Sequence, residues 1–168
     1  MSNIRDNYQL NDGKNWYVLY TRPRSEKKVA NQLQRMGLES YCPVRKEMRQ
    51  WSDRRKKVEV PVLPSMILVH VPSKDRKKVF DCPNAVRYLF WEGQPAEVPE
   101  GEVKALEQSL TGPRVISHES IPLRPGQHID MTEWGFKNEE GRIKYMSGNH
   151  CWIVLKNIGM VVKLKIEK

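Results

Sequence analysis

Four histidines (His70, His118, His128, His150) and three cysteines (Cys42, Cys82, Cys151) are the residues of this 168-residue chain best suited to nucleophilic or metal chemistry. Their spacing supports neither. No serine or cysteine sits in a motif that would pair it with a histidine, and there is no C-x-x-C, Walker loop, G-x-G-x-x-G or H-E-x-x-H. An odd number of scattered cysteines reads as reduced thiols with no disulfide and no metal role. The carboxylates are plentiful but equally scattered. The expectation is a non-enzymatic binding protein with no cofactor and no metal.

Binding chemistry is carried instead by charge. The chain has 29 Lys+Arg and 20 Asp+Glu, for a formal net charge of +9, and its mean hydropathy is -0.68. Between Lys14 and Lys78 there are 17 Lys/Arg against 6 Asp/Glu, whereas residues 79 to 168 hold 11 against 12. A field of that sign attracts a polyanion or an acidic protein surface, nucleic acid being the commonest such partner. The plainer alternative is a solvated basic face that only confers solubility. The longest apolar run, Met66 to Val71, is interrupted by His70 and falls well short of the roughly 20 residues that a spanning helix needs. Met1 to Lys14 has neither the apolar core nor the cleavage site of a secretory signal. A short frayed tail, no membrane association and a cytoplasmic location are expected.

The elements that must position these charges follow from pattern. Trp16 to Thr21 (WYVLYT) is aromatic and β-branched and reads as a buried strand. After it, Val29, Leu33 and Met36 recur at helical spacing, with Ser25 placed to cap, Glu26 in the first turn and Gly37 at the far end. Glu47 to Trp51 and Lys57 to Val62 flank a turn, giving a hairpin whose tip carries four consecutive bases, Arg54 to Lys57. Pro61 and Pro64 restrict pairing there to an edge or a bulge. Met66 to Val71 reads as a central strand, and Lys74 to Asp81 as a short helix burying Val79 and Phe80. Val86 to Trp91 (VRYLFW) reads as a strand with buried aromatics, and Pro99 opens a helix with Val103, Leu106 and Leu110 on one face. Gly112 to Pro125 shows no hydrophobic periodicity and reads as a linker. Beyond it, runs at Gln127 to Thr132, Glu140 to Met146, Cys151 to Leu155 and Met160 to Ile166 predict a small barrel.

Three segments, in this order and spacing, resemble the NusG family of transcription elongation factors: Trp16 to Val29 (WYVLYTRPRSEKKV), Val60 to Val69 (VPVLPSMILV) and Gly126 to Ile143 (GQHIDMTEWGFKNEEGRI). The last resembles a KOW motif, keeping Phe136 and Gly141 while Trp134, Gly135, Asn138 and Glu139 depart from it. Leu63, Ser65 and Met66 likewise stand where the family usually has an aromatic, glycine and tyrosine. Such drift is similar to specialised paralogues, the RfaH-like or UpxY-like antiterminators of surface-polysaccharide operons. The resemblance implies an α+β fold: a tail (1–14), an N-terminal NGN-like antiparallel sheet flanked by helices (15–111), a linker (112–124) and a C-terminal KOW/SH3-like small β-barrel (125–168).

It also implies roles. An apolar depression on the sheet would grip the clamp helices of RNA polymerase through Tyr20, Leu63, Met66, Leu68 and Trp91; each of these could instead be plain core. Arg22, Arg24, Ser25 and Lys28, at the start of a helix whose free N–H groups favour phosphate, would touch the non-template DNA strand. Arg54 and Arg55 would attract upstream DNA. In the barrel an exposed Phe136 at a hairpin tip, with Ile158 second, would contact a small ribosomal subunit protein and, in a general factor, the termination helicase Rho; the alternative is a tip phenylalanine that folds back into the core. A monomer is expected. Two other readings stand beside the specialised antiterminator: a general factor that also couples to Rho, and an RNA-binding or ribosome-associated KOW protein, which would need exposed aromatic strands with interleaved bases.

Overall fold

The computed structural model of the chain describes residues 13–123, 130–137 and 142–167. The expected tail lies almost wholly outside them, as do His128, much of the expected strand Gln127 to Thr132 and part of the KOW-like segment. The chain forms two compact units, Met1–Cys42 with Ser65–Glu97 and Pro43–Pro64 with Val98–Lys168.

The first unit is built on β1 (Lys14–Thr21), α1 (Glu26–Arg35) and β2 (Glu39–Tyr41). The chain leaves for β3 (Val44–Gln50) and β4 (Arg55–Pro61) in the second unit, then returns with β5 (Met66–Pro72), a 3₁₀ helix (Ser73–Asp81) and β6 (Ala85–Tyr88). The sheet order is β2–β5–β1–β6, with antiparallel pairing at each step. Because strand side chains alternate, Tyr17 and Leu19 of β1 and Ile67, Val69 and Val71 of β5 share one face, and there they pack with Val29 and Leu33 of α1 into a core. The end of α1 is set by Gly37 in the left-handed region (φ +81), which lets Leu38 N–H reach the Leu33 carbonyl at 2.9 Å and Gly37 N–H the Gln34 carbonyl at 3.0 Å. Leu38 then folds into the same core. Ser25 precedes the helix but makes no side-chain cap.

Short strands β7 (Phe90–Trp91) and β8 (Gln94–Pro95) pair through a turn at Glu92 and Gly93, both at positive φ. The expected single strand Val86 to Trp91 is thus broken at Leu89. Leu89 stays buried and its N–H bonds the Val18 carbonyl at 2.9 Å, while Phe90 and Trp91 turn outward, 53% and 38% exposed. Phe80, expected to be buried, is 45% exposed. The chain passes to the second unit at β9 (Glu97–Val98).

In the second unit, α2 (Glu100–Thr111) buries Val103 and Leu106 as its spacing predicts, but also Glu102 and Ser109. The segment expected to be a linker, 112–124, instead contains β10 (Val115–Pro122), paired along most of its length with β13 (Met160–Ile166). With β11 (Lys144–Ser147) and β12 (His150–Leu155) it makes an antiparallel sheet of order β10–β13–β12–β11. Met131–Trp134 is a 3₁₀ turn rather than strand, started by the Asp130 carboxylate accepting from Thr132 N–H at 2.9 Å. The hairpin β3–β4 forms a two-stranded sheet of its own, as its alternation predicts. Among the described residues no helix is long and apolar enough to cross a membrane.

Candidate nucleic-acid and partner interface

The strand register fixes which side chains of β1 and β5 lie opposite the α1-facing core. Trp16 opposes His70, Val18 opposes Leu68 and Tyr20 opposes Met66, so these six share the second face of the sheet. Trp16 stacks on the His70 ring with centroids 4.5 Å apart, and His70 Nδ1 lies 2.7 Å from Glu39 Oε2. Tyr20 is half-buried, and the Arg87 guanidinium sits over its ring, 4.6 Å from the centroid. Met66 and Leu68 are buried, as is Leu63. Of the five expected apolar contacts only Tyr20 and Trp91 reach solvent. Pro64 does keep residues 62 to 65 out of regular pairing, but the segment is tied inward. Ser65 N–H donates to the buried Glu26 carboxylate at 3.0 Å, and the Ser65 carbonyl accepts from Thr21 N–H at 2.8 Å.

The basic loop between β1 and α1 is presented as expected. Arg22, Arg24 and Lys28 are exposed and Ser25 is half-exposed around the start of α1. Arg24 holds φ 65, and Arg22 N–H is fixed to the Asn84 carbonyl at 3.0 Å. The Glu26 carboxylate at the helix start is buried and accepts from Ser65 N–H, while Arg22 and Arg24 beside it are exposed.

On the hairpin, cross-strand pairs divide the side chains into two faces. Arg45, Glu47, Val58 and Val60 are half-buried, whereas Lys46, Met48, Lys57 and Arg55 face solvent. The inward face is held by polar bonds. Arg45 Nε donates to His118 Nδ1 of β10 at 2.6 Å, and Ser120 Oγ donates to the Val62 carbonyl at 2.6 Å. Burial and the Arg45 charge both push the His118 imidazole pKa down, against a smaller upward pull from Glu47. A groove of about 710 Å³ runs beside the hairpin, with four bases, Arg45, Lys46, Lys57 and Arg114, and one acid, Glu47, on its wall together with Met48 and Leu110. Arg54 and Arg55 are exposed.

In the C-terminal strands Phe136, expected at an exposed tip, is half-buried. Phe136 packs on Tyr145 and Trp152, with centroids at 5.2 and 4.9 Å, and Ile158 is buried. Among the described residues there, the large apolar side chains exposed are Ile116 of β10, Trp134 and Met146. Glu102 of α2 is buried, with Oε1 accepting from Lys156 N–H at 3.2 Å. Desolvation outweighs that bond and lifts its carboxyl to about 7. Burial also raises the thiols of Cys82 and Cys151, both free. Three surface features escaped the sequence reading: Trp51 at the hairpin tip, Phe90 beside Trp91, and Arg87 over Tyr20. A lone tryptophan beside a run of bases was the signal for the first; the other two depend on where a strand breaks.

An α+β chain with a helix-backed antiparallel sheet and a four-stranded antiparallel sheet near its C-terminus, presenting basic and aromatic side chains, fits an NGN-like sheet joined to a small β fold. The family model for NusG, described as transcription termination factor nusG, matches residues 14–107, and the chain belongs to the NusG family. A solved structure described as "Domain interaction in Thermotoga maritima NusG" is similar at 16% identity and a TM-score of 0.44, covering 92% of this chain and 98% of that one. No curated protein matches the chain. The family makes this chain a transcription elongation or termination factor.

Proposed function

We propose that this protein is a non-enzymatic elongation and antitermination factor that binds the clamp helices of RNA polymerase and touches non-template or upstream DNA, acting in the cytoplasm as a monomer on specialised operons such as those for surface polysaccharide. The observation that carries the reading is the family match over 14–107, which spans the sheet face, the basic loop and the hairpin. Residues 15–111 are the polymerase-binding module. Tyr20 and Trp91 are its solvent-reachable apolar contacts, and Arg22, Arg24, Ser25 and Lys28 meet phosphate at the start of α1. Bridging the clamp shifts the enzyme away from paused conformations. Residues 125–168 recruit a small ribosomal subunit protein. With Phe136 half-buried against Trp152 and Ile158 buried, Trp134 and Met146 are, among the described residues of that segment, the large apolar side chains exposed for that contact or for Rho.

The test is co-purification with polymerase. Tyr20→Ala with Trp91→Asp is expected to cut enrichment by roughly tenfold or more, the scale of interface hot spots. Arg22→Ala with Arg24→Ala is expected to weaken binding to single-stranded DNA and leave enrichment near the parent level. Undiminished enrichment in the first variant sinks the clamp contact, and equal loss of both activities in the second sinks the separate DNA site. One observation favours a second reading, an RNA-binding protein of the KOW class: Phe90 and Trp91 are exposed on short strands close in sequence to Arg87. Polymerase absent from the co-purified material, with RNA enriched in its place, selects that reading.

A further inference from the structure

The tip of the β3–β4 hairpin holds a side chain that a merely basic finger does not need. Trp51 is 51% exposed, although tryptophan is on average a highly buried residue. It stands on a tight turn and not on a loose loop, since its N–H donates to the Arg54 carbonyl at 2.7 Å. Arg49, Arg54, Arg55 and Lys56 around it are all exposed, and Arg55 Nε is steadied by Gln50 Oε1 at 3.1 Å. Over residues 44–61 there are seven Lys/Arg against three Asp/Glu. The basic groove described above begins at Met48 and Lys57. Met48 is three residues from Trp51, about 10 Å along a strand. It is itself 49% exposed. Within that groove the Arg45 side chain is only 10% exposed, and its Nη1 has no hydrogen-bond partner among the described residues.

We propose that this hairpin holds a single strand of nucleic acid, with one unpaired base stacked on the Trp51 indole and the flanking phosphates on Arg54, Arg55 and Lys56, the strand continuing along the groove past Lys57 and Arg114. An indole face offers a platform to any base, but only to one whose own face is free; within a duplex each base is covered by its neighbours. Cations without the aromatic would serve duplex and single strand alike. The inference rests on the nucleic-acid reading of Arg54 and Arg55 and adds the form of the ligand. DNA and RNA share the chemistry of an unpaired nucleotide, so the test carries both.

The test measures fluorescence anisotropy of labelled oligo(dT), oligo(U) and duplex DNA with the full chain across a salt series. Trp51→Ala is expected to weaken the single-strand complex by roughly five- to a hundredfold, the range seen for loss of one stacked base, while duplex affinity changes by less than about twofold. Trp51→Phe is expected to retain most of the affinity, because a ring remains. Arg54→Ala with Arg55→Ala is expected to weaken both ligand forms and to flatten the salt dependence by about 0.7 per lost contact on the single strand. Whichever of oligo(dT) and oligo(U) loses more in Trp51→Ala is the strand held. Equal small losses on single strand and duplex in Trp51→Ala overturn the stacking role while leaving the charge reading intact. An unchanged affinity in the double arginine variant sinks that charge reading and this inference with it. The side chain is exposed, so an unchanged melting curve is expected for each Trp51 variant.

Discussion

Glu102 shows what one carboxyl can do when it is buried between a helix and a sheet. It lies on the buried face of α2, where helical spacing would place an apolar residue, and its Oε1 accepts from Lys156 N–H. Oε2 has no partner among the described residues. Desolvation is therefore the dominant influence and raises the carboxyl from 4.5 to about 7. Because the folded state holds this proton more tightly than the unfolded chain, the stability involved is full below the unfolded value near 4.5 and is lost as pH rises through about 7. Glu102→Gln keeps the acceptor and removes the charge. It is expected to be more stable than the parent by on the order of 3 kcal/mol at about pH 8, with the difference vanishing near pH 4. Thermal melts across pH check this. A constant difference at all pH values means that the carboxylate is satisfied by solvent.

At the scale of elements, the hairpin and β10 are joined by polar bonds, and this explains what could and could not be read in the sequence. His118 Nδ1 accepts from Arg45 Nε, so the bond requires a neutral imidazole. The lowered native pKa of His118 means that this contribution is full above about 6.5 and is lost as pH falls through the native value. Acidification to about pH 5 is expected to speed amide hydrogen exchange across β3 and β4 beyond the intrinsic pH effect, and His118→Gln, which keeps an acceptor that cannot titrate in this range, is expected to remove that extra change. β1, α1, β5, α2 and the hairpin were legible because their burial follows apolar period. β10 was not, because what holds Ser117 to Ser120 is a ladder to β13, a hydroxyl bond to Val62 and an imidazole bond to Arg45, none of which leaves an apolar alternation. The candidate site divides the same way. Arg22, Arg24, Lys28, Arg54 and Arg55 were legible since charge predicts exposure. The burial of Met66 and Leu68 was not, because alternation assigns a strand residue to a face without saying whether that face is covered, and Leu63 lies between strands, where no alternation applies.

Over the whole molecule, contacts do not follow chain order. Residues 43–64 and 98–111 group with the C-terminal strands, while 65–97 group with the N-terminal sheet. The hairpin draws on β10 for the partners of Arg45 and Val62, and α2 draws on β12 and the turn after it for those of Ser109 and Glu102. A chain cut after Thr111 therefore keeps the sheet β2–β5–β1–β6 with α1, whose core residues all precede the cut, and loses what fixes the hairpin and α2. Such a truncation is expected to retain native-like exchange protection in β1 and β5. Trypsin is expected to cleave it at Arg54 and Arg55 many times faster than the full chain, since local opening sets cleavage when reclosing is fast. The opposite outcome, with the hairpin equally protected in both lengths, would establish 15–111 as a self-sufficient domain whose hairpin needs nothing from the C-terminal strands. The two outcomes also separate the binding readings. If the hairpin is held by β10, removal of residues 112–168 weakens single-strand nucleic-acid binding through Trp51 even though neither Trp51 nor the basic turn beside it is touched.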